Sequence, residues 1–149
     1  MSKQSVLVLI KPDGMQKAIA GDVISIFLAN DLKLIGIKLV QVPLKLASAH
    51  YGHLRGQNFF KEIVSYMMGD LHGKSPVMAM VFYGEDAVAK CRRIAGATNP
   101  EEADPKSVRG KFGRVTTKGV FENLVHVSSD IKEASREIAL WFKKNELLK

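Results

Sequence analysis

Ser5-Val6-Leu7-Val8-Leu9-Ile10-Lys11-Pro12-Asp13-Gly14 is the stretch that decides the fold. It begins with a run of β-branched residues and leucines without polar alternation, which is typical of a strand buried on both faces. Proline, aspartate and glycine then favour a tight turn directly after the strand. We therefore predict a central first strand that ends at Lys11.

Three more strands and several helices are predicted from periodicity and breaker residues further along the chain. The predicted strands are 34–42, 77–83 and 123–127, and the predicted helices are one capped by Asp22, 45–54, 58–68, 85–95, and 131–144 capped by Ser129 or Asp130. This order predicts a ferredoxin-like α/β sandwich, βαββαβ, with a mostly antiparallel four-stranded sheet, helices on one face and added helices. A parallel doubly wound sheet is the competing interpretation.

Length and composition indicate an ordinary globular protein. The chain has 149 residues, which predicts one domain over 1–149, and a net charge of +7, which favours anionic partners such as nucleotides, nucleic acid or acidic lipid. The single cysteine, Cys91, excludes an internal disulfide framework and fits a reducing compartment. No apolar run approaches the roughly 18 residues of a membrane span, and the first apolar run is too short for a secretory signal, so we expect a cytoplasmic protein.

Residues 69–75, Gly-Asp-Leu-His-Gly-Lys-Ser, are similar to a phosphate-binding loop of the G-x-x-x-x-G-K-[ST] type. They have three residues between the glycines where that motif has four. A true loop also follows a strand and opens a helix, whereas this segment ends a predicted helix and leads into a strand. We predict a surface turn.

Residues 97–121 form a long connection without a clear period, and such a connection is usually functional or disordered. The arginines Arg92, Arg109 and Arg114, the Thr98 hydroxyl and several glycine amides could bind phosphate, and a solvated basic loop is the alternative. Residues 109–113 also resemble part of an RNA-recognition signature. A basic nucleic-acid-binding module is therefore a second functional hypothesis, although the first strand lacks the aromatics that such a module uses.

His126 lies in the last predicted strand, where a lone histidine is commonly a structural residue. The final helix carries an apolar stripe that contains Ala134 and Trp141, and Glu137 falls at its border. A carboxylate there is expected to have a partner. Folded back on the strand, the helix would offer Glu137 to His126 or to Ser128, which is an arrangement for nucleophilic catalysis by histidine.

With these features together, the sequence resembles the nucleoside diphosphate kinase family over nearly its whole length. The segments that carry the resemblance are 11–14 (Lys-Pro-Asp-Gly), His50-Tyr51, Phe59-Phe60, Arg92, 96–100 (Gly-Ala-Thr-Asn-Pro), 108–113 (Val-Arg-Gly-Lys-Phe-Gly), 123–128 (Asn-Leu-Val-His-Val-Ser), Glu137 and Trp141-Phe142. The resemblance implies a ferredoxin-like subunit that moves the γ-phosphate of a nucleoside triphosphate to a nucleoside diphosphate through a phosphohistidine. It also implies a homo-oligomer, tetramer or hexamer, and magnesium held mainly by the nucleotide phosphates rather than by a protein metal site.

The resemblance assigns a role to each matching position. His126 matches the nucleophile, and Glu137 and Ser128 match the pair that holds it. Lys11 and Asn123 match the residues that bind the sugar 3′-hydroxyl and the transferred phosphate. The remaining matches are Tyr51 at the phosphate end, the phosphate clamp of Arg92, Thr98 and Arg109, and the base-binding pair Phe59 and Ile63.

Three departures distinguish this sequence from the usual family pattern. Val127 follows the histidine where the family usually has glycine, and the acidic residue Asp130 is shifted by one position. Residues 69–74 and 113–122 are a few residues longer than usual. The chain stops at Lys149, soon after the final helix, which leaves the size of the oligomer open.

Overall fold

The computed structural model describes residues 2–148. The strands are β1 Lys3–Ile10, β2 Lys33–Val40, β3 Val77–Glu85, β4 Arg114–Val115, β5 Phe121–Glu122 and β6 Val125–Val127. The helices are α1 Pro12–Gln16, α2 Ala20–Leu28, α3 Leu44–His50, α4 Phe60–Met67, α5 Ala87–Ala95, α6 Val108–Phe112 and α7 Ile131–Trp141, with 3-10 turns at Gly52–Leu54 and Lys144–Glu146. Within residues 2–148, the main sheet has four strands in the order β2-β3-β1-β6, and every pair is antiparallel. The ferredoxin-like prediction is confirmed, and the parallel doubly wound alternative is wrong.

Both faces of the central strand β1 are buried, and residues 6–10 have no exposed surface. On one face Val6 and Val8 pack in a core with α2 and α5, and on the other Leu7 and Leu9 pack with α3, α4 and α7. Helices therefore cover both faces of the sheet: α2 and α5 lie on one face, and the predicted added helices lie on the other. The added helices α3 and α4, together with the second half of α7, cover the face that a minimal sandwich would expose.

The starts of α1 and α2 differ from the predictions, which were based on single turn-forming or helix-capping residues. The segment that begins at Pro12 forms the short helix α1 rather than a tight turn, with proline at the first helical position, where its missing N–H is harmless. Asp22 is not the cap of α2: Ile19 occupies that position, and Asp22 lies in the first turn, where its charge favours the positive end of the helix. Asp130 does cap α7, as one of the two predicted residues, because its side chain accepts the Glu133 N–H at 2.7 Å.

The long connection after α5 contains short elements that no hydrophobic period could reveal. Ser107 caps α6 by accepting the Gly110 N–H at 3.1 Å. The segment then forms the two-stranded hairpin of β4 and β5, in which Arg114 lies opposite Glu122. This hairpin lies directly before Asn123 and β6 and so places its residues beside the site described below.

Residues 69–75 connect α4 to β3 as a turn, which confirms that they are not a phosphate-binding loop. Gly69 has a φ of +86°, and a Cβ there would lie 2.7 Å from the Ser75 carbonyl oxygen, so this position requires glycine. Lys74 pairs with the neighbouring Asp70 carboxylate instead of pointing at a ligand site. The turn is not entirely on the surface, since His72 is buried.

Across residues 2–148, no helix is long and apolar enough to cross a membrane.

Candidate active site

His126 lies on the edge strand β6, which pairs with the central strand β1. Its backbone pairs with Leu9 of β1, so the ring is near the end of β1, where Lys11 follows. The ring is mostly buried, with 18% of the side chain exposed. It lines a cavity of about 260 Å³ that also contains Lys11, Arg92 and Arg109.

Glu137 holds His126 from behind. One carboxylate oxygen of Glu137, Oε1, lies 2.9 Å from His126 Nε2 and 2.7 Å from Ser128 Oγ. Ser128 is itself fixed, because its Oγ accepts the Leu7 N–H at 3.1 Å. A carboxylate accepts hydrogen bonds, so Nε2 carries the ring proton and Nδ1 is left with its lone pair.

The electrostatics of this cluster favour a neutral imidazole. Burial lowers the pKa of His126 well below its ordinary value, and the positive charges of Lys11, Arg109 and Arg92 act in the same direction. Burial raises the pKa of Glu137, while the hydrogen bond from Ser128 and the positive charge of Arg136 oppose that rise. A neutral, oriented imidazole has the lone pair that a nucleophile needs.

His50 packs against the other side of the site. Its ring meets the His126 ring edge-on, with 4.5 Å between the ring centroids, and its Nδ1 accepts the indole N–H of Trp141 at 3.0 Å. Burial lowers the pKa of His50 to about 2, so this residue stays neutral. His50 thus packs against His126 as an uncharged neighbour.

Ligand atoms of His50, His126 and Glu137 lie within 4.8 Å of one another, close enough for a metal ion. However, the Trp141 indole N–H can only donate, so His50 Nδ1 is the acceptor and the His50 ring proton lies on Nε2. Nε2 is the nitrogen that remains for a metal, and it already carries this proton. The second ring, His126, gives its Nε2 proton to Glu137. The three residues are therefore arranged for hydrogen bonding and not as a metal centre.

Lys11 and Asn123 form the next part of the site. Lys11 Nζ donates to Asn123 Oδ1 at 2.9 Å, and Asn123 Nδ2 donates to the Thr98 carbonyl oxygen at 3.0 Å. Burial and the charge of Arg109 lower the pKa of Lys11 to about 8, and Asp13 opposes this shift. Lys11 is therefore charged at neutral pH but can lose its proton in mildly alkaline solution.

Strand alternation alone would direct Asn123 away from His126, and a strained turn explains why it reaches the site. Leu124 has a φ of +71°, and the Val125 N–H donates to the Asn123 carbonyl oxygen at 2.8 Å, which defines a γ-turn. The turn is held by Lys11, whose N–H donates to the Leu124 carbonyl oxygen at 2.7 Å, and by Asp13, whose carboxylate accepts the Leu124 N–H at 3.1 Å. Regular β6 pairing consequently begins only at Val125, not at the predicted residue 123.

Arg109, Arg92, Thr98 and Tyr51 surround the open end of the cavity. Arg109 donates to the carbonyl oxygens of Gly96 and Val125, each at 2.8 Å, and burial, followed by the charge of Arg92, lowers its pKa to about 10. Burial also raises the pKa of the Tyr51 phenol, which therefore remains a donor. Tyr51 is itself buried, with 6% of its surface exposed.

A second, adjoining cavity of about 460 Å³ begins at Lys11 and Asn123 and continues away from His126. Phe59 and Ile63 line one side of it, and Phe59 is 46% exposed, so its ring is accessible from the cavity. Val120 and Phe121 of the hairpin segment line the other side. An exposed aromatic side chain of this kind can stack against the face of a planar ring in a ligand.

Every residue that the family resemblance assigns to the site lies at one of these two cavities or, as Ser128 does, directly behind His126. Arg114, which was also a candidate phosphate ligand, lines neither cavity and pairs with Glu122 instead. The structure adds four residues that sequence reasoning did not select: Asp13, His50, Val120 and Phe121. His50 adjoins the selected Tyr51, and Asp13 belongs to the Lys-Pro-Asp-Gly segment, so both had a local signal. Val120 and Phe121 had none, because they lie in the aperiodic connection.

Chemically, the site combines a neutral histidine with an available Nδ1, two arginines, a lysine and neutral donors. Cations and donors of this kind stabilise the equatorial oxygens of a phosphoryl group in transfer, and an oriented lone pair supplies an in-line nucleophile.

Comparison with known proteins agrees with this chemistry. The sequence model of the nucleoside diphosphate kinase family matches residues 4–147. A nucleoside diphosphate kinase from Staphylococcus aureus (strain N315) is 45% identical over 139 residues, which covers 93% of this chain and 87% of that protein.

Solved structures show the same similarity. The nucleoside-diphosphate kinase from Borrelia burgdorferi, in a transition-state mimic with vanadate and ADP, has a TM-score of 0.90 and 30% identity over 99% of this chain and 91% of its own. A halophilic nucleoside diphosphate kinase from Halobacterium salinarum, in complex with CDP, has a TM-score of 0.89 and 33% identity over 99% of this chain and 93% of its own.

Proposed function

We propose a residue-level mechanism for this chain, which belongs to the nucleoside diphosphate kinase family and transfers phosphate between nucleoside triphosphates and diphosphates. In this mechanism His126 Nδ1 is the group that accepts the γ-phosphate. The observation that carries the proposal is the position of Glu137 Oε1, which accepts from Ser128 Oγ and from His126 Nε2 and leaves Nδ1 without a proton.

In the first half-reaction, the Nδ1 lone pair forms a bond to the γ-phosphorus while the bond from that phosphorus to the bridging oxygen of the diphosphate breaks. The ring gains positive charge as the new bond forms, and the Glu137 carboxylate, 2.9 Å from Nε2, stabilises it. Lys11 and Arg109 balance the negative charge on the phosphate oxygens. The nucleoside diphosphate leaves with its electron pair.

In the second half-reaction, a terminal phosphate oxygen of another nucleoside diphosphate attacks the phosphohistidine. The bond from phosphorus to Nδ1 breaks, its electron pair returns to the ring, and a nucleoside triphosphate is released. The same residues serve both steps, since the second is the chemical reverse of the first. A ping-pong scheme follows, in which one site alternates between two nucleotides.

The nucleotide is proposed to lie with its base against the wall formed by Phe59 and Ile63. Its sugar would lie at Lys11 and Asn123, and its phosphates at Arg92, Thr98, Arg109 and Tyr51. The adjacency of the two cavities at Lys11 supports this orientation. Because stacking on an aromatic ring reads a π face and not the base edges, we expect broad tolerance of the base.

Magnesium enters this proposal as part of the substrate, bound to the nucleotide phosphates. Two carboxylates line the phosphate end, and both are engaged: Glu137 by Ser128 and His126, and Glu133 by Arg136. The other lining residues include the cations Lys11, Arg92 and Arg109. Such a lining suits a metal–nucleotide complex better than a resident ion, because hard cations prefer carboxylate oxygens.

A homo-oligomer, tetramer or hexamer, is proposed for the assembled enzyme. The edge strand β2 supports this proposal, because its Ile37 and Leu39 are 48% and 62% exposed and an open apolar edge invites pairing. Sedimentation equilibrium of the purified protein tests it: a monomer at micromolar concentration would contradict it. We also propose a cytoplasmic location, which the single free, buried Cys91 supports.

The alternative of a basic nucleic-acid-binding module receives no support from these comparisons. Residues 6–10 of the central strand are aliphatic and fully buried, so they offer no stacking platform.

The test of the mechanism is incubation of the protein with γ-labelled ATP and magnesium. An acid-labile, base-stable phosphoenzyme is expected, which discharges its label onto added GDP or dCDP. The matched variant is His126→Ala, which should retain no label. Absence of label on the unmodified protein, or turnover by the variant through the same labelled site, would disprove the role of His126.

A further inference from the structure

Two segments that are distant in sequence, 69–74 and 113–122, meet at one buried carboxylate. Glu122 lies at the end of β5, and its side chain pairs with His72 Nε2 through one oxygen and with Arg114 Nε through the other. Glu122 and His72 are 4% and 6% exposed. A buried, doubly paired carboxylate of this kind is strongly held, because Glu122 or His72 without its partner would be a buried, unpaired polar group.

The charge of Glu122 is maintained in this position. Burial alone would raise its pKa, but the hydrogen bonds from Arg114 and His72 and their charges outweigh it and lower the pKa below the ordinary value. The carboxylate is therefore ionised at neutral pH, and both contacts are charge-assisted.

This cluster joins the two walls of the 460 Å³ cavity. His72 follows α4, which carries Phe59 at its start and Ile63 and Tyr66 on the cavity side, and the His72 ring lies 5.3 Å from the Tyr66 ring, measured between centroids. Glu122 follows directly after Val120 and Phe121, which form the opposite wall. The contact between His72 and Glu122 therefore links the segment that carries Val120 and Phe121 to the turn that follows α4.

The phosphate end is held by contacts that do not involve this cluster. Asn123 donates to the Thr98 carbonyl oxygen, and the γ-turn at Leu124 is fixed by Lys11 and Asp13. Glu137 and Ser128 hold His126 more deeply in the core. Loss of the charge on Glu122 should thus loosen the base-binding wall and leave the phosphate-binding and reacting groups in place.

We propose that Glu122 is a positioning residue for nucleotide binding: through His72 and Arg114 it holds the Val120–Phe121 wall against α4 and so sets the width of the base cavity. This inference rests on the proposed orientation of the nucleotide. Glu122 does not touch the reacting atoms, and its effect is on recognition of the nucleoside.

The experiment compares Glu122→Gln with the unmodified enzyme, using ADP and inorganic pyrophosphate as two probes. ADP contacts the base cavity, whereas pyrophosphate occupies only the phosphate end. We expect the Kd and KM for ADP to rise about tenfold, equivalent to about 1.4 kcal/mol. We expect kcat to change by less than about twofold, and the inhibition constant of pyrophosphate to stay the same.

Two further variants keep the test decisive. Arg114→Gln removes only the exposed partner, so it should fold and give a smaller rise in the Kd for ADP. Lys74→Gln is the matched control, since it removes an exposed ion pair with Asp70 from the same loop and should change none of these constants. Should Glu122→Gln fail to fold, an unchanged Kd for ADP in Arg114→Gln would overturn the proposal.

The proposal is also overturned if Glu122→Gln binds ADP normally, or if binding of pyrophosphate weakens as much as binding of ADP. The second result would mean that the cluster supports the whole site and not the base wall. Equilibrium binding of ADP needs no phosphoryl transfer, so it tests the role of Glu122 independently of the proposed mechanism. Failure of the phosphohistidine mechanism would appear separately, as absence of label on the unmodified protein.

Discussion

Replacing Glu137 with glutamine removes one negative charge from behind the nucleophile and keeps the shape of the side chain. In the structure, Glu137 Oε1 lies 2.9 Å from His126 Nε2, so the charge that develops on the ring during attack is about 4 Å from the carboxylate charge. At an effective dielectric constant of about 20, their attraction is on the order of 4 kcal/mol. The glutamine carbonyl would keep a neutral hydrogen bond worth about 1 kcal/mol.

The net loss of transition-state stabilisation is therefore about 2–4 kcal/mol, which corresponds to a rate of phosphoenzyme formation roughly 30- to 1000-fold lower. The assay is single-turnover labelling from γ-labelled ATP by rapid quench at saturating nucleotide, with Kd for ADP measured separately. Ser128→Ala should slow the reaction less than Glu137→Gln, because the hydroxyl only orients the carboxylate.

The matched control for the charge change is Glu146→Gln, which removes a carboxylate from a partly exposed pair with Lys38 far from the site. It should label at the normal rate. A rate for Glu137→Gln within about threefold of the unmodified enzyme would refute the electrostatic role assigned to this residue, because a 2 kcal/mol loss must slow the reaction by at least about 30-fold.

Two further predictions concern protonation and packing. Lys11 has a pKa of about 8, so its charge is present below that pH and lost above it. A bound phosphate favours the charged form. Binding of ADP at pH 9 should therefore be accompanied by uptake of roughly 0.9 proton by the protein. Calorimetry in two buffers of different ionisation enthalpy measures this proton uptake. The variant Lys11→Arg should abolish it. No uptake by the unmodified protein would contradict the assignment of this titration to Lys11. Gly14→Ala should lower the free energy of unfolding by about 1–3 kcal/mol, because the new Cβ would lie 2.8 Å from Ile10 Cγ2. Gly21→Ala meets nothing within 4 Å and lies in α2, so it should stabilise by about 0.5–1 kcal/mol; equal denaturation midpoints for the two variants would be inconsistent with this packing.

The sequence predicted the parts of the fold and site that depend on local periodicity. The aliphatic run at residues 6–10 placed β1 in the middle of the sheet, and all five side chains are indeed buried. The apolar stripe of α7 directed attention to Glu137, and its carboxylate does lie against both His126 and Ser128. A continuous apolar run carried the information for β1, and a repeat of 3.6 residues carried it for α7.

Features that depend on non-local contacts or unusual backbone could not be predicted in this way. The side chain of Asn123 reaches Lys11 because of the γ-turn at Leu124, a conformation that strand alternation cannot anticipate. The hydrogen bond from Trp141 to His50 joins positions 91 residues apart. Residues 69–75 gave a turn signal correctly, but nothing local indicated that His72 would be buried against Glu122, 50 residues later.

The central claim is that His126 is phosphorylated on Nδ1 because Glu137 holds the proton on Nε2. The most direct measurement is heteronuclear NMR of the phosphoenzyme, prepared from ATP with ¹⁵N-labelled histidine in the protein, in which phosphorus–nitrogen coupling identifies the modified atom. The prediction is a single phosphohistidine, absent from His126→Ala, with phosphorus on Nδ1. Phosphorus on Nε2 of His126, or on any other residue, would contradict it.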